Sequence, residues 1–357
     1  MPAVKEFGYE YDASFDAALW EQTRGKTTAE KLFGALCLRS GRDAIKAVAE
    51  SVPDADVVMP ALSCDSMVVP FTSNGMNVTF YPYCKDYSVD GEALFRILEG
   101  KRKNVLLLYM DYFGKPSFSD DLLKFIREKY PGILFLEDRT HNLPICPKRT
   151  FQPEFTVASL RKWISVPDGG LSWTEKDLHA VRLGESGASA GKRLAAQRLR
   201  HDFRQTGKPE YHSEFRKVFS TVTDMIDEDP LPGRMSLYAY ELARRTDWQF
   251  VKEQRKKNAS VLIEALKKAG IRLVQDVAGE SDVYVEILIN NRDDVQRKLA
   301  SEGIFCTVIW PLSPEQRKAC PVAEYTEEHM LAIYCDQRYS EEEMDYIAKR
   351  VTELCYE

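Results

Sequence analysis

Phe155-Thr-Val-Ala-Ser159-Leu160-Arg161-Lys162-Trp163-Ile164-Ser165-Val166-Pro167-Asp168-Gly169-Gly170 is the stretch on which the reading of this 357-residue chain turns. Phe155 to Leu160 is a short apolar run that reads as a buried strand, and the Pro- and Gly-bearing segment after it reads as a loop. In open α/β sheets ligands bind beyond the carboxyl ends of the strands. Lys162 stands just past such an end. A lone loop lysine is ordinarily solvated, so its meaning rests on what the other strand ends carry.

Asp56 to Met59, Asn77 to Tyr81, Asn104 to Tyr109 and Ile133 to Glu137 read as further strands. Amphipathic stretches separate them. In one, Ser119 is the predicted cap, Leu122, Phe125, Ile126 and Tyr130 recur at helical spacing, and Pro131-Gly132 ends the run. Strands alternating with helices predict βαβ units and a mostly parallel sheet sandwiched by helices. Asp138 follows Ile133–Glu137, with His141 three residues later. Upstream, Arg39-Ser40-Gly41-Arg42-Asp43 opens a helix that has Ala44, Ile45, Val48 and Ala49 on one side.

Each of these residues has an ordinary reading: Asp138 as a helix cap, Ser40-Gly41 as a helix start, Gly169-Gly170 as a turn. Together they match the needs of pyridoxal phosphate, which are a lysine for a Schiff base, an acid for the pyridinium nitrogen and a cradle for the phosphate. Asp138 would keep the ring nitrogen protonated. Lys162, once displaced by the substrate amine, would act as the general base at Cα. Backbone N–H groups at Gly41 and Arg42, at a helix N-terminus, and the positive charge of Arg42 would meet the phosphate.

The chain resembles the DegT/DnrJ/EryC1/StrS family of fold-type-I aminotransferases, and within it a divergent branch. The resemblance is carried by Ser40-Gly41-Arg42-Asp43-Ala44, Met59-Pro60-Ala61 with Gly75, Tyr112-Phe113-Gly114, Glu137-Asp138-Arg139-Thr140-His141, and Ser159-Leu160-Arg161-Lys162 with Gly169-Gly170. Cys335-Asp336-Gln337-Arg338-Tyr339 is similar to the same branch. The resemblance implies that Lys162 carries the cofactor and Asp138 meets the pyridinium. It implies His141 near the phenolic oxygen, Gly41 and Ser159 at the phosphate, and an amino transfer to a keto-sugar attached to a nucleotide. A glutamate-like amino donor and a homodimer, with the active site at its interface, are implied as well.

Departures from the family pattern are also legible. Arg42 stands where Thr or Ser is usual, Ser159 is three residues before the lysine rather than five, and Cys64 occupies the position of a ring-stacking aromatic. Arg234 is a candidate substitute for the missing cross-dimer Asn. Cofactor-binding candidates are therefore Ser40, Gly41, Arg42, Cys64, Asp138, His141, Ser159 and Lys162, with Arg338 and Tyr339 as candidates for substrate.

Other chemistries fit less well. The net charge of −6 (49 basic, 55 acidic) gives no reason to expect nucleic acid or an anionic membrane as a partner. No apolar run approaches the ~20 residues of a membrane span, and the start is unlike a signal peptide. The eight cysteines and five histidines are dispersed without metal-ligand spacing, so no metal is expected and the thiols read as reduced, in a cytoplasmic protein. Ser159-x-x-Lys162 lacks the S-D-N and K-T-G partners of a penicillin-binding site. Gly25-Lys26-Thr27 lacks a P-loop glycine at position 20, which is Trp20. A lyase or dehydratase using the same cofactor, and a non-catalytic protein of the same fold, are the alternatives carried forward.

Residues 184–213 are polar and basic and read as a surface excursion. A long helix from Asp247 to Lys268 then leads into a smaller α/β part, with strands expected at Arg272–Val274, Val283–Ile289 and Phe305–Trp310. Ser340 and Glu343 predict a capping box for the last helix. The expected division is a large cofactor-binding domain over 1–247 and a small C-terminal α/β domain over 248–357.

Overall fold

The computed structural model describes residues 5–8, 10–12, 16–101, 104–143, 150–176, 181–279 and 282–357. Tyr9, Cys146 and His179 lie outside them. The architecture is α/β, with a large, mostly parallel central sheet flanked by helices. By contacts the chain forms two compact units. One gathers the chain up to Glu6 with Glu10–Ser51 and Val157–Thr246; the other gathers Phe7–Tyr9, Val52–Thr156 and Asp247–Glu357.

The second unit holds the parallel ladder. Val78–Tyr81, Asp56–Pro60, Val105–Met110 and Ile133–Asp138 lie side by side in that order, all parallel. Val105–Met110 is buried at every position, as expected of a strand covered on both faces. One cluster around it joins Val58, Leu107, Tyr109 and Phe135 to Leu94 and Leu98 of helix Gly91–Glu99 and to Leu123 and Ile126 of helix Asp120–Lys129. Ser119 caps the latter helix by accepting from Leu122 N–H at 3.1 Å.

The C-terminal part of this unit is an antiparallel pair, Tyr284–Leu288 with Met330–Tyr334, packed on helices Trp248–Lys268, Arg292–Ser301 and Glu341–Tyr356. Gly270 ends the first helix in the left-handed region, φ +77, and Ser340 and Glu343 form the capping box. Phe305–Trp310, expected as a strand, makes a single bridge, Thr307 with Ala332, while Phe305 N–H turns to the Phe7 carbonyl. Its backbone bonds are split between two partners, so no ladder forms.

In the first unit, Lys31–Leu32, Ala35–Leu38 and Gly170–Thr174 pair antiparallel, and the strand that ends at Ser159, which belongs to this unit from Val157 on, is the next neighbour of Gly170–Thr174. Residues 184–213 are not an irregular excursion. They contribute helix Gly187–Thr206 and the start of helix Pro209–Glu228. The polar composition misleads because Arg193, Gln197 and Arg200 are buried inside this unit.

Candidate active site

Lys162 is held by a turn with little freedom. Strand Phe155–Ser159 passes into a 3-10 turn, Leu160–Lys162, in which Trp163 N–H and Ile164 N–H both reach the Leu160 carbonyl, at 2.9 and 3.1 Å. Leu160 and Trp163 are buried, whereas Arg161 and Lys162 are half-buried. The Tyr11 hydroxyl donates to the Trp163 carbonyl at 3.0 Å. The loop closes on itself where Leu160 N–H bonds the Gly169 carbonyl at 3.0 Å, and Gly169 N–H bonds the Arg39 carbonyl at 2.6 Å.

Two glycines let the start of helix Gly41–Ser51 approach this loop. A Cβ on Gly170 would lie 2.0 Å from the Ser40 carbonyl oxygen, which no side chain can tolerate. A Cβ on Gly41 would lie 3.2 Å from the Ser159 Cβ. The helix N-terminus, with amides that lack an intrahelical carbonyl, therefore abuts Ser159, three residues before Lys162. Ser40 is spent on the helix itself. Its hydroxyl accepts from Asp43 N–H at 3.0 Å and donates to the Asp43 carboxylate. The Arg42 guanidinium, expected to bring its positive charge to the phosphate, instead pairs with Asp227, so what Arg42 offers at the helix start is its backbone N–H.

A buried ion cluster fixes the segment. Arg39 forks onto Asp43 at 3.0 and 2.7 Å and reaches Asp229 at 2.7 Å; Gly233 N–H adds a bond to Asp43 at 3.1 Å. Asp168 pins the other side of the lysine loop. It accepts from the Ser236 hydroxyl at 2.7 Å, Ser236 N–H at 2.9 Å and the Ser186 hydroxyl at 3.2 Å. Burial pushes its carboxyl up to about 6, against the pull of these hydrogen bonds and of Arg39. Sequence reasoning passed over Arg39, Asp43 and Asp168 as functional residues. A serine opening a helix at Ser236 was the available signal, but its partner is 68 positions away.

The second unit carries the other candidates. Asp138 ends strand Ile133–Asp138, is buried, and accepts from Thr140 N–H at 2.8 Å. His141, also buried, is stacked between Phe113 (5.6 Å between centroids) and Trp310 (5.9 Å), with Tyr284 edge-on at 6.3 Å. Cys64 caps helix Asp65–Thr72 without a side-chain cap bond, and its Sγ lies 3.2 Å from the Ser66 hydroxyl. The loop before it is tied down by Gln316, which donates to the Ala61 and Ser63 carbonyls at 2.9 and 2.8 Å. Arg338 forks onto Asp336 at 2.7 and 2.8 Å. Burial would raise the Asp336 carboxyl, but Arg338 holds it below the usual range. The Tyr339 hydroxyl accepts from Gly8 N–H at 2.6 Å.

Ser40, Gly41, Arg42, Ser159 and Lys162 thus belong to the first unit, and Cys64, Asp138, His141, Arg338 and Tyr339 to the second. Arg234, the candidate for the missing Asn, bonds the Leu183 carbonyl at 2.9 Å and Glu185 at 3.0 Å. Among the described residues no group of three or more His, Cys, Asp or Glu could hold a metal ion, and no helix is long and apolar enough to cross a membrane. Seven of the cysteines are free thiols.

No protein-family model matches the chain, and no curated protein matches it in sequence. Solved structures do match in fold. PseC of Helicobacter pylori, an aminotransferase of pseudoaminic acid biosynthesis, superposes with a TM-score of 0.70 at 16% identity, covering 99% of this chain and 100% of that one. The sugar aminotransferase Spr1654 of Streptococcus pneumoniae, in its PLP form, gives 0.69 at 13% identity, covering 99% of each chain. A DegT DnrJ EryC1 StrS aminotransferase from Brucella abortus gives 0.64 at 17% identity, covering 95% of this chain and 89% of that one. The fold of this chain is the fold of the DegT/DnrJ/EryC1/StrS-type aminotransferases.

Proposed function

We propose that the chain is a pyridoxal-phosphate-dependent aminotransferase that delivers an amino group to a keto-sugar, nucleotide-linked, or to a similar ketone. The observation that carries this reading is the lysine turn: Lys162 follows Ser159 in a 3-10 turn, and Gly41 opens a helix against that same serine. A cradle that leaves no room for a Cβ at Gly170 and little at Gly41 suits a phosphate held by backbone amides.

When bound, pyridoxal phosphate supplies an aldehyde that condenses with amines and a protonated ring that draws electrons from the adjoining carbon. The backbone N–H groups of Gly41 and Arg42 and the Ser159 hydroxyl would hold its phosphate. Asp138 would keep the proton on its ring nitrogen. His141 would stand near its phenolic oxygen, and Cys64 at the face of the ring. Lys162 Nζ would hold the cofactor, then move a proton at the substrate Cα. Arg338 and Tyr339 would contact the substrate, and a glutamate-like amino acid would be the donor. A cytoplasmic homodimer, and the division into a cofactor-binding 1–247 and a C-terminal 248–357, belong to the same reading.

The test is cofactor uptake. Purified protein mixed with pyridoxal phosphate should acquire a visible absorption band, and borohydride reduction should fix the cofactor's mass on the peptide containing Lys162. Lys162→Ala should lose both signals. L-Glutamate should then bleach the band of the wild-type protein. Absence of uptake, or labelling of a different lysine, removes the proposal; uptake without bleaching by any amino donor removes the transaminase reading.

A further inference from the structure

Three acids near the N-terminus each meet an arginine of the first unit. Glu6 pairs with Arg200 at 3.4 Å, Glu10 with Arg161 at 3.2 Å and Asp12 with Arg204 at 2.7 Å. A fourth arginine shares the buried face of helix Gly187–Thr206 and has no such partner. Arg193, Gln197 and Arg200 are spaced four and three residues apart, so they line one side of the helix, and all three are buried. Arg193 is 2% exposed, and its Nε and Nη1 are enclosed. Among the described residues it has no hydrogen bond and no ion pair. Its guanidinium lies over the Phe219 ring, 4.1 Å from the centroid. One turn along, Gln197 Oε1 accepts no hydrogen bond among the described residues, while its Nε2 reaches the Val166 carbonyl at 3.5 Å.

Burying a cation without a hydrogen-bonded anion is unfavourable, and a desolvated cation–π contact offsets only part of that cost. Burial first, then the neighbouring Arg161, lower the Arg193 guanidinium to about 9, with Glu10 and Asp168 acting the other way. It is therefore charged at neutral pH. Among the described residues neither of these carboxylates hydrogen-bonds Arg193, and the Arg161 and Glu10 side chains are 24% and 31% exposed. Of the groups that act on Arg193, these two are the ones solvent reaches, since Asp168 is 2% exposed.

We propose that Arg193, with Arg161, is a binding site for a small oxyanion, a carboxylate or a phosphate group, for which Glu10 is the built-in competitor. An entering oxyanion takes Arg161 from Glu10 and supplies Arg193 with the acceptor it lacks. The fork of a guanidinium suits both kinds of oxyanion. Neither Arg193 nor Glu10 is among the residues proposed to hold the cofactor, so the inference does not rest on the proposed reaction.

Calorimetric titration with inorganic phosphate and, separately, acetate tests it on the full chain. Arg193→Met keeps a long apolar side chain on Phe219 but should weaken binding of the preferred anion about tenfold or more, the loss of one charge-assisted contact. Glu10→Gln should tighten binding about threefold. Which anion responds identifies the ligand as carboxylate- or phosphate-bearing. The site is read as the anion binding that disappears in Arg193→Met. In anion-free buffer Arg193→Met should melt no lower than wild type, because it removes a buried guanidinium that no hydrogen bond satisfies among the described residues. The proposal is overturned if wild type binds neither anion, if Arg193→Met binds both as wild type does, or if Glu10→Gln gains nothing. The last result decides the matter should Arg193→Met fail to fold.

Discussion

Gly170→Ala is the sharpest perturbation of the lysine loop. The added Cβ would lie 2.0 Å from the Ser40 carbonyl oxygen, 2.3 Å from its carbon and 2.9 Å from the Gly41 nitrogen. Carbon and oxygen in ordinary contact are about 3.3 Å apart, so one backbone must retreat by more than ~1 Å. Neither is free to do so. Gly170 pairs with Leu38 in the sheet, and Gly169 N–H bonds the Arg39 carbonyl at 2.6 Å. Overpacking costs about 1–3 kcal/mol, and each sacrificed hydrogen bond about 1 kcal/mol more. The expected loss is therefore about 3–5 kcal/mol, a large part of a typical domain's stability. Gly41→Ala, with 3.2 Å to the Ser159 Cβ, should cost about 1 kcal/mol or less. Gly91→Ala meets nothing within 4 Å and should stabilise by about 0.5 kcal/mol. Urea unfolding of the three variants gives the ranking, and pyridoxal phosphate uptake reports the damage to the cradle. Gly170→Ala within about 1 kcal/mol of wild type, with uptake intact, would refute the reasoning.

Three more expectations concern buried polar groups. Asp168 titrates at about 6 in the fold against an ordinary 3.8, so the native state holds its proton more tightly than the unfolded chain. The resulting stability is complete below about 3.8 and is lost as pH rises to about 6, a change of about 3 kcal/mol. Urea midpoints between those limits should show this slope in wild type and lack it in Asp168→Asn; equal slopes count against the assignment. Ser236→Ala removes both the cap of helix Leu237–Arg245 and a bond to Asp168, and should cost about 2 kcal/mol in the same assay. Glu286 is fully buried, and burial raises its carboxyl well above the ordinary range. Glu286→Gln should therefore be as stable as wild type at pH 7, and a loss above about 1 kcal/mol would mean that the native carboxyl is ionised.

The strand ends were legible because composition sets them. Ile133–Asp138 and Phe155–Ser159 are apolar runs cut off by charge, and residues just past a strand's carboxyl end in an α/β sheet are placed to meet a ligand. The same local logic failed for residues 184–213. Arginine and glutamine in an amphipathic stretch read as solvated, and nothing nearby in sequence says otherwise. Arg200 is buried against Glu6, 194 positions away. Phe305–Trp310 failed for a related reason, since a strand needs one continuous partner and this segment has two.

By itself, then, the sequence determined an α/β fold and singled out Lys162, with Asp138, His141, Ser159 and Gly41 as its companions. Those are matters of residue type and spacing, which a chain carries wherever it goes. Only the tertiary structure decided which polar groups are already occupied: Ser40 by Asp43, Arg42 by Asp227, Arg338 by Asp336. It alone revealed Asp168 as the clamp on the lysine loop and Arg193 as a buried cation with no hydrogen-bond acceptor among the described residues. The physical reason is that a charge is satisfied by neighbours in space, and for Asp168 and Arg39 those neighbours include groups 68 and 190 positions away.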